Sequence, residues 1–215
     1  GYIVDAIEPV AMLAVIGLAL VGWRRSSHKG FLVFTCIALA LTAERRLNNA
    51  IVPWTDLESL GTYSWLATVM WAPTIAAWVL AWNRWCLRAW RSIDVLAIVL
   101  AVVGVVGALT RSASLNSVCR LGLLALMVVI AVRMVRSGPM RMLSLVTLAS
   151  IMVGLFGGEL LAPLGVPGIW FPFGIGVSRT QYIYAITIPL LAVLVVRTLA
   201  SNKALFPHAS RGRSG

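Results

Sequence analysis

The chain has 215 residues, of which 60% are hydrophobic and 12% charged, and its mean hydropathy is +0.92. A water-soluble domain of this length cannot cover that much apolar surface with so few polar groups, so the composition points to a bilayer as solvent and leaves no room for a soluble domain. The net charge of +11 does not signal nucleic acid, because the basic residues cluster between hydrophobic runs, where insertion topology and attraction to anionic lipid account for them.

Seven hydrophobic segments follow one another at residues 7–23, 30–49, 63–82, 93–109, 118–132, 143–164 and 182–196. A hydrocarbon core needs roughly 20 apolar residues per helix, and backbone groups in lipid must be satisfied within the segment, so each is expected to be a membrane-spanning α-helix. Thirteen of the eighteen basic residues fall in alternate connections: Arg24, Arg25 and Lys29; Arg84, Arg88 and Arg91; Arg133, Arg136 and Arg141; and Arg197, Lys203, Arg211 and Arg213. Cytoplasmic loops retain positive charge, which places those connections inside. The other side holds Arg45, Arg46, Arg111, Arg120 and Arg179 together with Asp5, Glu8, Glu44, Asp56, Glu58 and Glu159. The expected architecture is an all-α, polytopic, seven-helix bundle of the inner membrane over residues 1–200, with the N-terminus outside and a basic cytoplasmic tail over 201–215. The initial Gly and the final HASRGRSG fit a processed product or a fragment of something longer, and no cleavable signal pattern is present. Cys36, Cys86 and Cys119 are odd in number, lie in or beside apolar runs and lack C-x-x-C spacing, so structural disulfides are not expected.

Local features refine the helices. Pro73 and Pro189 each remove a backbone donor and are expected to kink the third and seventh segments. Gly154 and Gly158 form a G-x-x-x-G, read as tight packing within the chain or as a dimer seam. Trp71, Trp78, Trp82 and Trp85 share a stripe of the third helix; the expectation is that Trp82, Trp85 and Trp90 anchor it at the cytoplasmic interface, the competing reading being an aromatic ligand pocket.

Charge position carries the functional reading. At 1.5 Å per residue, Glu44, Arg45 and Arg46 lie inside the outer half of the second helix, and Glu159 and Arg120 reach a similar depth on the sixth and fifth. Ionised groups at that depth are costly and are expected to face inward and pair, Glu44 or Glu159 with Arg45, Arg46 or Arg120. Asn48 and Asn49 extend the same polar faces outward. An outer polar chamber results, with self-satisfied, snorkelling charges as the bland alternative. The glycine-, proline- and aromatic-rich loop over 165–181 is expected to cap the chamber, with Arg179 just above the carboxylates and Tyr182 coupling loop to helix. The candidate ligand-binding set is therefore Glu44, Arg45, Arg46, Asn48, Arg120, Glu159, Arg179 and Tyr182.

Catalysis, cofactors and metals find no support. No nucleophile, metal-ligand set or phosphate-binding loop accompanies the two carboxylates, and GIWFPFGIG spaces its glycines with bulky aromatics and has no G-K-[ST] after it. Retinal needs a lysine in the last helix, whereas Lys29 and Lys203 both sit in connections. His28 and His208 lie outside the expected spans, so they do not supply axial haem ligands within the bundle.

The segment LGVPGIWFPFGIGVSRTQYIYAI, the run LAWNRW after the third helix and the early WRR together resemble the multi-helix membrane region at the N-terminal side of bacterial sensor histidine kinases and PP2C-type phosphatases. The resemblance covers about residues 24–199. It implies a membrane sensor or anchor that signals through its last helix to a cytoplasmic kinase or phosphatase domain. The chain departs from that pattern after Phe206, where no output domain follows, so the output lies in a partner or in a part of the protein not in this sequence. Two other classes compete: an accessory structural subunit of a larger membrane complex, and a small transporter using Glu44 and Glu159, against which stand the odd helix count and the lack of an inverted repeat.

Overall fold

A computed structural model of the chain describes residues 2–51, 57–86, 88–137, 140–170 and 177–204. Among them are seven α-helices: α1 (Tyr2–Gly22), α2 (Lys29–Ile51), α3 (Leu57–Trp85), α4 (Arg91–Leu109), α5 (Ala113–Ser137), α6 (Arg141–Leu161) and α7 (Arg179–Ala204). Short 3₁₀ turns follow α1 at Trp23–Arg25 and α6 at Ala162–Leu164, and a two-stranded antiparallel ribbon, β1 (Ile169–Trp170) with β2 (Val177–Ser178), leads into α7. Five of the seven apolar segments lie within one helix each, whereas 7–23 and 143–164 run past the ends of α1 and α6 into the 3₁₀ turns that follow. Among the described residues, four stretches are long and apolar enough to cross a membrane: Arg91–Leu109, Ala113–Arg136, Arg141–Gly158 and Thr180–Ala200. The apolar part of α1, Ala6–Gly22, is shorter. The tail over 205–215 and the loop centre over 171–176 lie outside the described residues.

Each helix packs on its neighbours in the chain, α1 closes against α7, and α3 reaches across to α5. Absent side chains set the closest approaches. A Cβ on Gly104 of α4 would fall 2.6 Å from Cys119 Sγ of α5 and collide with Ala72 Cβ of α3, so three helices meet at a glycine. Gly154 brings α6 within 3.2 Å of Ile183 on α7 in the same sense, which makes the first glycine of the G-x-x-x-G an internal contact; nothing lies within 4 Å of a Cβ on Gly158. Outside the core, large apolar side chains stand exposed along α4 and α5, among them Val95, Ile98, Val102, Leu121 and Val135.

The tryptophan stripe is placed differently from the interface expectation. Trp78, Trp82 and Trp85 are fully buried, with Phe31 of α2 between the rings of Trp82 and Trp85 at 5.4 and 4.6 Å. The reason is the position of α3: it packs on α2, α4 and α5 and so has no free face for three indoles. Trp85 Nε1 donates to Ser144 Oγ of α6 at 2.9 Å, the satisfaction that a buried indole requires. Only Trp90 of the expected anchors is exposed, and the Arg133 guanidinium lies 3.8 Å above its ring.

Below the stripe, a polar clasp joins three helices that the charge count had treated as loop ends. Asn83, fully buried, donates from Nδ2 to Asp94 Oδ1 at 2.8 Å and to the Trp90 carbonyl at 2.9 Å. Its Oδ1 accepts from Arg133 Nη1 and from the Trp90 amide, each at 3.1 Å. Arg84 donates to the other oxygen of Asp94, and Arg133 also donates to the Arg88 carbonyl. The turn between α3 and α4 is thereby tied to α5.

The helical path breaks at Phe156 of α6, where φ is −116° and ψ 20°, beside Gly157 and Gly158. Pro73 and Pro189 lie inside α3 and α7, each of which runs on as one helix. Ser178 and Gln181 form a capping box at the start of α7: Gln181 Oε1 accepts from the Ser178 amide at 2.8 Å, and Ser178 Oγ accepts from the Gln181 amide at 3.4 Å. The start of α7 is thus fixed to the last residue of the ribbon.

Candidate functional site

A polar cavity of about 260 Å³ opens near one end of the bundle, walled by five helices. Thr42, Arg45 and Arg46 come from α2, Trp71 and Thr74 from α3, Arg120 from α5, Gly154, Leu155, Gly157 and Gly158 from α6, and Thr180 and Tyr184 from α7. Helical spacing explains the convergence: residues three or four apart share a face, which aligns Thr42 with Arg45 and Arg46, Trp71 with Thr74, and Thr180 with Tyr184. By helical rise, Arg45 sits about 24 Å from the Lys29 end of α2 and about 9 Å from its Ile51 end. Around the break at Phe156, three of the four α6 residues at the wall are glycines, which leaves Leu155 as the side chain that α6 presents there among the described residues.

Ion pairing and ring stacking hold two of the three guanidiniums. Arg46 Nε lies 3.3 Å from Glu8 Oε2 of α1, both groups are nearly excluded from solvent, and the Arg46 guanidinium stands 4.8 Å over the Tyr184 ring. Arg120 lies 4.6 Å over the Trp71 ring, itself edge-on to Phe156 at 6.4 Å. Such stacking fixes the guanidinium plane and hence the direction of its donors. Arg45 makes no hydrogen bond or ion pair among the described residues. The hydroxyls of Thr42 and Thr74 donate to the carbonyls of Ala38 and Met70 at 2.7 Å, turning their lone pairs toward neighbours.

Comparison with protein-family models, with curated proteins and with solved structures finds no match to this chain. The resemblance to sensor kinase membrane regions therefore rests on the sequence runs that suggested it.

Of the expected binding set, Arg45, Arg46 and Arg120 converge on the cavity. Glu44 and Tyr182 are half-buried and do not line it. The side chains of Asn48, Glu159 and Arg179 lie outside the described residues. The partner of Arg46 seen here, Glu8, belonged to the expected outer acids and not to the chamber; its place on α1, followed by Pro9, gave no depth signal. Tyr184, one turn beyond Thr180, was findable from spacing alone, as were Trp71 and Thr74. No group of three or more His, Cys, Asp or Glu capable of holding a metal occurs among the described residues. A second recess of about 400 Å³ between α2, α3 and α4 is walled by apolar side chains such as Phe34, Ile37, Pro73 and Val102, and no polar side chain lines it among the described residues.

Proposed function

We propose that the chain is a multi-pass inner-membrane sensor or anchor module, with its N-terminus outside, whose outer-side chamber is read by α7 and relayed to a cytoplasmic output domain or partner. The observation that carries this reading is the shared wall: Thr180 and Tyr184 belong both to the chamber and to the first turns of the helix that runs to the opposite end. The capping box fastens that helix to the ribbon, so ribbon and helix move together. Exposed apolar faces on α4 and α5 suit lipid contact and would be an unusual surface in water. The buried indoles of Trp78, Trp82 and Trp85 fill the bundle beyond the chamber, which favours a receptor over a transport path.

Two experiments test the proposal. With the native cysteines replaced, an impermeant thiol reagent added outside cells should modify Ser59→Cys and spare Ser137→Cys; the reverse pattern overturns the orientation. For the relay, Arg45→Glu places a carboxylate among Arg46 and Arg120 and mimics occupancy. Spin labels at Val132→Cys and Val196→Cys, both exposed, should then change separation by about 2 Å or more, the scale of helix shifts in switching proteins. An unchanged distance leaves a passive anchor.

A further inference from the structure

We infer that the chamber is an oxyanion site, taking a phosphate or carboxylate group, with Arg45 as the residue that captures it. The inference deepens the sensor reading by naming the ligand class, and it rests on the same cavity. The described lining contains three guanidiniums and no carboxylate, and Glu8 of α1 is engaged by Arg46. Arg120 stacks over Trp71 and Arg46 over Tyr184, so the planes of both guanidiniums are fixed beside the cavity. Between them Arg45 offers five donors that neither an ion pair nor a hydrogen bond occupies among the described residues. A planar guanidinium matches two oxygens of one oxyanion and gains no such match from a halide.

Space and route agree with that chemistry. Gly157 and Gly158 present backbone where side chains would close the cavity, and a Cβ at Gly158 would meet nothing within 4 Å. The remaining volume, about 260 Å³, admits a headgroup-sized anion and is too small for a nucleotide. Two sources carry the same group: a soluble phosphate or small carboxylate from outside, or the phosphate of an outer-leaflet lipid.

The test uses the full chain in a maltoside detergent, which carries no phosphate. Inorganic phosphate, succinate and short-chain phosphatidylglycerol are titrated at constant ionic strength with chloride as the control, and tryptophan fluorescence and the melting temperature are followed. Saturable quenching and a raised melting temperature are expected with at least one oxyanion and not with chloride. Saturation by phosphatidylglycerol alone assigns the lipid source, and saturation by phosphate or succinate assigns the soluble one. Arg45→Gln should weaken binding by about tenfold or more and Arg45→Lys by less, as loss of a bidentate pair predicts. Gly158→Leu, which leaves every arginine in place and fills the floor, should also block binding. No response beyond chloride, or binding by Arg45→Gln equal to wild type, overturns the proposal. So does binding seen only in Glu159→Gln, which would mean that the chamber neutralises itself. Failure here leaves the Val132–Val196 distance change under Arg45→Glu standing as support for the relay, whereas an anion that binds without moving α7 sinks the relay and leaves the site.

Discussion

Glu8→Gln removes one charge from the Arg46–Glu8 pair while keeping shape and most hydrogen-bonding capacity. Relative exposures are 4% for Glu8 and 8% for Arg46, so water does not screen the pair, and the 3.3 Å separation corresponds to a Coulomb energy of about 5 kcal/mol at an effective dielectric constant near 20. The variant leaves Arg46 as a buried cation short of its partner, a state that typically costs about 3–5 kcal/mol. Each kcal/mol moves the midpoint of a chain this long by about 2–4 °C, so the melting temperature should fall by roughly 6–20 °C. The assay is thermal unfolding of the purified protein by circular dichroism, run on Glu8→Gln, Arg46→Gln and the double variant. The double variant should recover part of the loss, because it buries no lone charge. A fall equivalent to less than about 1 kcal/mol for Glu8→Gln would put the pair in solvent, as for surface ion pairs, and would refute the reasoning.

Gly104→Val should destabilise by about 1–3 kcal/mol or more in the same assay, since its Cβ would fall 2.6 Å from Cys119 Sγ, whereas Gly158→Ala meets open space and should unfold like wild type. Arg111 adopts φ of 54° at the end of α4, where the Ser112 amide donates to the Gly107 carbonyl at 2.9 Å; Arg111→Gly should therefore stabilise by about 1 kcal/mol, read as a higher melting temperature. Asn83→Ala strips the clasp of its central amide and leaves buried partners unsatisfied, so a loss of about 3 kcal/mol is expected from chemical denaturation. Burial against the Trp85 ring at 4.8 Å lowers the pKa of His28 from its usual 6.5, favouring the neutral ring in the folded state. Its contribution is full above pH 6.5 and is lost as pH falls through the lowered value, so melting temperatures taken downward from neutrality should drop, and His28→Gln should flatten that drop.

The seven helices were legible because runs of apolar residues longer than a strand leave the backbone few other ways to satisfy itself. Depth counting brought Arg45, Arg46 and Arg120 to one cavity, since helical rise is fixed and the two helices that carry them, α2 and α5, both reach it. It passed over Glu8, because an acid near the start of α1 looks like part of a mouth until the packing of α1 on α2 is known. Tryptophan spacing put the indoles on one stripe and could not say what that stripe faces; the answer depends on α3 being surrounded, a tertiary fact. Arg133 read as loop charge for the same reason, and only the fold joins it to Asp94 through Asn83.

The contact of α1 with α7 sets when the chamber comes into existence. A Cβ on Gly22 would collide with Leu199, so the two helices lie against each other although their residues are far apart in the chain. Glu8 and Arg46 stand on successive helices, α1 and α2, and can meet as soon as α2 has been synthesised, but the wall carrying Thr180 and Tyr184 is made after the others. Until the ribosome has released α7, the arginine cluster faces an open side, and any chain truncated before residue 179 carries those charges with no cavity to hold them. Nascent and truncated forms are therefore the ones a membrane quality-control protease would be expected to recognise.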